Sequence, residues 1–91
     1  QAEKEFSAYN FEYANIDNLF KIFDMLEMEA QSLVDKKLSL PAYDQCLKAN
    51  HIFNILDARG VISVAQRAEY IGRIREITKR VAEIWLSSQT Q

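Results

Sequence analysis

The 91-residue chain holds one cysteine, one proline, one histidine and two glycines. Each scarcity excludes something. A lone Cys46 cannot form an internal disulfide or a multi-cysteine zinc site, and such cysteine usage fits a reducing compartment, so a cytoplasmic location is expected. The single His51 lies five residues from Cys46 on one predicted helix, a spacing that does not bring a nucleophile and a base together. No carboxylate sits four residues to either side of His51, so no metal-ligand cluster forms around it. Two glycines do not make a phosphate-cradling loop. No apolar run approaches the ~18 residues of a membrane span, and no basic, apolar, small-residue leader opens the chain. No catalytic, cofactor-binding or metal-binding residue is therefore expected in this chain, and no membrane contact.

What is present is a globular composition, 48% hydrophobic and 26% charged, sufficient for one small domain. The net charge of −2 is unevenly placed. Residues 1–45 carry four Lys/Arg against nine Asp/Glu, and residues 46–91 carry seven against four. Two readings fit this asymmetry. An acidic first helix can lie beside a basic last one, or the basic half can face RNA.

Three helical patterns follow one another. The first spans about 16–36, with Ile16, Leu19, Phe20, Phe23, Leu26, Ala30, Leu33 and Val34 on one stripe and Asn15 as N-cap. Lys36 and Lys37 suit its C-terminal dipole. The second spans about 41–58, opening at Pro41 in the first turn and stopping at Gly60. Tyr43, Cys46, Leu47, Phe53 and Leu56 are its expected apolar contacts, with Ala42, Ala49 and Ile52 beside them. The third spans about 64–87. Ser63 and Gln66 form a capping box before it, and Val64, Ala68, Ile71, Ile74, Thr78, Val81, Trp85 and Leu86 are its expected inner stripe. Glu69 with Arg73 and Glu76 with Arg80 have the spacing of intrahelical ion pairs, which leaves Arg67, Arg75 and Lys79 without a local partner. Gly72 weakens the helix and suggests a close approach by a neighbour. Short connections force antiparallel neighbours, so the expected fold is all-α, an up-down-up three-helix bundle over residues 15–91.

Residues 1–14 form an aromatic-rich extension with Phe6, Tyr9, Phe11 and Tyr13. Residues 2–9 can form a short helix, and residues 9–13 alternate like a strand with nothing to pair with. The extension either wraps onto the bundle or meets a domain absent from this chain.

Polar residues concentrate between His51 and Arg75. Asn50, Asn54 and Asp57 share one helix face, and Arg59 follows at the helix end. Asp57 can tie the second turn together by accepting from Arg59, Arg67 or the start of the third helix. His51, Asp57, Arg59, Ser63 and Gln66 are read as structural polar residues. Asn50, Asn54, Arg67, Arg73, Arg75 and Lys79 are candidates for partner contact. Acidic pairs such as Asp24 with Glu27 read as solvated surface. A tight turn between helices invites a helix-turn-helix comparison, but the third helix alternates Glu with Arg and presents no basic edge, so DNA binding is not expected.

Three strings, YNFEYANIDNLFKIFD, LPAYDQCLKANHIFNILDARGVIS and QRAEYIGRIREITKRVAEIW, resemble the C-terminal helical region of the α subunit of bacterial α2β2 glycyl-tRNA synthetase. The likeness runs from Phe6 to Leu86, and H-x-F-N-x-L-D-A-R-x-x-I-S-V is its specific part. Where that family commonly reads S-V-T-E-R, this chain has Ser63-Val64-Ala65-Gln66-Arg67, which keeps the capping box without the charge. The resemblance implies a class II synthetase whose core, with its motifs for ATP, Mg²⁺ and glycine, lies upstream of Gln1. Residues 1–14 then lead toward that core. The chain would be an inert accessory piece of a glycine–tRNA ligase, with the β subunit, the α-subunit core and tRNA as expected partners. The competing expectation is a stand-alone helical module that binds protein or RNA without catalysis.

Overall fold

A computed structural model describes residues 1–89. Its elements are α1 (Ala2–Ala8), a π-helical turn (Tyr9–Tyr13), α2 (Ile16–Asp35), α3 (Ser39–Ala58) and α4 (Val64–Gln89). Helices α2, α3 and α4 form the expected antiparallel bundle. The last two positions of the 15–91 span lie outside the described residues.

Local chemistry sets the boundaries. The Asn15 side chain accepts the Asn18 amide at 3.0 Å and starts α2. That helix ends one residue before Lys36, with Lys37 at φ 61°. The Leu38 amide donates to the Leu33 carbonyl and the Lys37 amide to Val34, the paired bonds of a left-handed helix ending. Lys37 therefore occupies a conformation that usually falls to glycine, beyond any dipole role. Helix α3 begins at Ser39, two residues earlier than its proline suggests, because Pro41 still lies within the first turn, where no N–H is needed. It ends in the same motif, with Gly60 at φ 72° and the Val61 amide on the Leu56 carbonyl.

The core runs along α3. Ala42, Cys46, Ala49, Phe53 and Leu56 are all buried and repeat at alternating steps of four and three. Two alanines in that row let neighbouring helices come close. Phe23, Ala49 and Phe53 hold the centre. Ala30, Val34, Ala42, Cys46, Ile77 and Val81 fill one end, and Ala14, Leu19, Ile55 and Leu56 the other. The expected α2 stripe is realised, with Leu19, Phe23, Ala30 and Val34 buried and its other members half-buried.

Several expectations change. Tyr43 and Leu47 are exposed, and Ile55 is buried in their place. On α4 only Ile77 and Val81 are buried. Val64 is 89% exposed, and Ala68, Trp85 and Leu86 also face outward. For Val64 and Leu86 the geometric reason is length. Helix α4 has 26 residues against 20 each for α2 and α3, so its ends overhang its neighbours. The strand-like alternation of residues 9–13 is helical instead, because no second strand is available among the described residues and the segment continues α1.

The extension does not wrap onto the bundle. No residue of α1 or the π turn is buried. Phe6 is 68% and Tyr13 77% exposed. The radius of gyration is 14.8 Å, where a compact chain of this length has about 12 Å.

Among the described residues nothing lies within 4 Å of a Cβ built on Gly72, so the expected close approach does not occur among them. Gly72→Ala should accordingly stabilise the protein by about 1 kcal/mol and raise the thermal midpoint by about 4–8 °C. A lowered midpoint by circular dichroism would show that this surface is occupied.

Candidate functional site

The polar block between α3 and α4 is built as a joint. The Ser63 hydroxyl accepts the Gln66 amide at 3.1 Å, and the Gln66 side chain accepts the Ser63 amide at 2.9 Å. This capping box starts α4 without the negative charge of a glutamate. Arg67, one turn into α4, donates to Asp57 near the end of α3 at 3.2 Å. Asp57 thus ties the two helices together through Arg67.

Arg59 takes another course. Its Nη1 donates to the backbone carbonyls of Asn10 at 3.3 Å and Ala14 at 3.0 Å. It joins the end of α3 to the extension, a contact 45 to 49 residues apart in sequence.

Arg73 is the strongest polar centre. Its Nε donates to Glu27 at 2.9 Å and its Nη2 to Asp24 at 2.8 Å. The guanidinium also lies 4.9 Å from the ring centres of both Phe23 and Tyr70. The Glu27 side chain is 17% exposed, so this pair is poorly screened. Hydrogen bonding to Glu27 is the main cause that pushes the guanidinium further toward its charged form. Arg80 likewise crosses to α2 and pairs with Asp35 at 2.9 Å. The intrahelical pairs expected for Arg73 and Arg80 are therefore replaced by interhelical ones, and Asp24 and Glu27 are not independent solvated acids. Packing decides this: both arginines lie on the α2 side of α4, where acidic side chains are nearer than those along their own helix.

The remaining candidates face solvent. Asn50, Asn54, Arg75, Lys79 and His51 are exposed, and none makes a side-chain hydrogen bond or ion pair among the described residues. His51 borders a shallow apolar cleft of about 430 Å³ with Ile22, Leu26 and Leu47. A second cleft of about 290 Å³ opens between α3 and α4, lined by Leu40, Tyr43, Val81 and Trp85. Cys46 is buried apart from exposed His51, so they form no catalytic pair. Among the described residues no three His, Cys, Asp or Glu side chains are grouped to hold a metal.

Sequence reasoning missed Tyr70, whose ring packs edge-on to Phe23 at 4.8 Å and faces Phe53 at 6.0 Å. Its three-residue spacing to Arg73 placed both on one face, and that was the available signal. It also missed Asn10 and Ala14, which act through backbone carbonyls that any residue supplies.

Burial pushes the Cys46 thiol up, against a smaller opposing hydrogen bond from Thr78. The folded state therefore holds the thiol proton more tightly than the unfolded state. Stability from this group is complete below the unfolded thiol pKa and declines as pH rises through the folded one. Iodoacetamide at pH 8 should label native Cys46 at least tenfold more slowly than the denatured chain; equal rates would mean that the thiol is accessible. The two cross-helix arginines should also differ in energy. A double-mutant cycle on Arg73 and Glu27 should give a coupling of about 1–3 kcal/mol, and one on Arg80 and Asp35 below about 1 kcal/mol. Equal couplings by denaturant unfolding would remove the special role of Arg73.

A family model described as the glycyl-tRNA synthetase alpha subunit matches residues 1–90. With the match running through the extension, all three bundle helices and both joints, the chain belongs to the glycyl-tRNA synthetase alpha subunit family.

Proposed function

We propose that this chain is an accessory helical domain of a glycine–tRNA ligase, supporting the ATP-dependent charging of tRNA with glycine. It acts by bracing a class II catalytic core and by assembling with the β subunit, and does no chemistry itself. ATP and Mg²⁺ belong, on this reading, to the parent's core, and the working compartment is the cytoplasm. No helix of the described residues is long and apolar enough to cross a membrane.

The observation that carries the reading is the extension. Phe6, Tyr9, Phe11 and Tyr13 are each at least half exposed, on a helical arm outside the bundle's own core. Aromatic rows of that kind suit burial against protein. A second reading, contact with tRNA, draws on Arg75 and Lys79. They stand one turn apart on α4, both exposed, with no acidic partner among the described residues. Two phosphate contacts make a weak, salt-sensitive site.

Titration of the chain against separately purified catalytic core and β subunit tests the reading. Saturable binding to one of them is expected, weakened at least tenfold by Phe6→Ala with Tyr9→Ala, with little change between 50 and 200 mM salt as an order-of-magnitude range. Binding to neither protein, together with steeply salt-dependent binding to tRNA, would overturn it in favour of the RNA module.

A further inference from the structure

The extension touches the bundle at very few points. Ala14 is its one deeply buried residue, 3% exposed, and it packs with Leu19, Ile55 and Leu56. At Ala14 the backbone leaves the helical region, with ψ 133°. A helical arm joined to a bundle through one small anchored residue and one extended backbone step has no fixed direction unless something else sets it.

The π turn supplies acceptors for that purpose. The Ala14 amide donates five residues back, to the Tyr9 carbonyl at 2.7 Å. In an α-helix the same amide would satisfy the Asn10 carbonyl. The wider turn leaves the Asn10 oxygen free, and the helix end leaves the Ala14 oxygen free. Both accept from one guanidinium nitrogen of Arg59. Arg59 is itself the C-cap of α3, placed by the Gly60 ending. Asp57 does not compete for it, because Asp57 is paired with Arg67.

We infer that Arg59 is a positioning residue, which fixes the direction of the aromatic extension relative to the bundle by holding the two carbonyls left open by the π turn and by its end at Ala14. Its consequence for assembly rests on the proposed function; the positioning itself does not.

Spin labels at Lys4→Cys and Glu29→Cys, in a Cys46→Ala background, read the geometry of the isolated chain by pulsed electron resonance. The parent protein should give one narrow distance distribution. Arg59→Ala should broaden it at least twofold, and Arg59→Gln should do the same, with helicity of the bundle retained. A broad distribution in the parent, or a narrow one in either folded variant, would overturn the inference. Unfolding of the bundle in both variants would overturn it too, since Arg59 would then be holding the bundle and not the arm. No core, β subunit or tRNA enters this measurement, so its failure is distinct from failure of the proposed function.

Discussion

The bundle closes on Arg73. Helices α2 and α3 lie side by side along a continuous row of small and large apolar residues, and α4 meets α3 through Ile74, Ile77 and Val81. Ile77 and Val81 also cluster with Ala30 and Val34 of α2, and Tyr70 packs edge-on to Phe23. Among these contacts stands one guanidinium, hydrogen-bonded to Glu27 and Asp24 and set against the rings of Phe23 and Tyr70. A charge in that position is expensive to desolvate, and the cost is offset by the acceptors that Nε and Nη2 find in Glu27 and Asp24 and by the two ring faces. The pair remains partly open to water, with Arg73 28% exposed, which lowers both the desolvation cost and the attraction. Arg80 with Asp35 extends the same seam toward the far end of α2, where exposure leaves it little energy.

Helix α4 packs against both α2 and α3 through Ile74, Ile77 and Val81, and the rest of it is left to the outside. This explains why a helix with a convincing apolar stripe in sequence buries so little of it. Val64 and Leu86 lie at the overhanging ends, and Trp85 with Tyr43 lines an open cleft between α3 and α4. The same fixing leaves Arg75 and Lys79 facing solvent. The exposed residues of this chain are thus what the Arg73 seam and the α3 row do not use.

Sequence patterns revealed the bundle because its determinants are local. The Asn15 cap, the Ser63–Gln66 box, the Gly60 stop and the α2 stripe each lie within a few residues of what they control. The partners of Arg73 and Arg80 were not legible, because a Glu four residues away competes with an Asp or Glu more than forty residues away, and only the packed geometry decides. Lys37 in a left-handed ending was hidden for a related reason, since a lysine near a helix end already has an adequate electrostatic explanation. Among the candidate contact residues, sequence pooled side chains that the fold separates. Arg67 and Arg73 are engaged within the domain, and the side chains of Asn50, Asn54, Arg75 and Lys79 have no partner among the described residues.

Arg59 shows the deepest limit of pattern reading. Its partners are main-chain oxygens, and main-chain oxygens carry no residue type. Their availability depends on the pitch of a helical turn nearly fifty residues away, which composition does not encode. Yet this contact converts a short α-helix and a π turn from a loose arm into an element with a direction. An aromatic row on an arm of random direction would lose conformational freedom on every encounter with a partner. Held at its base, the same row meets a partner with that cost already met within the fold. The value of Arg59 to an assembly therefore lies in the free chain, before any partner arrives, and it scales with how far the aromatic row reaches from its single anchor at Ala14.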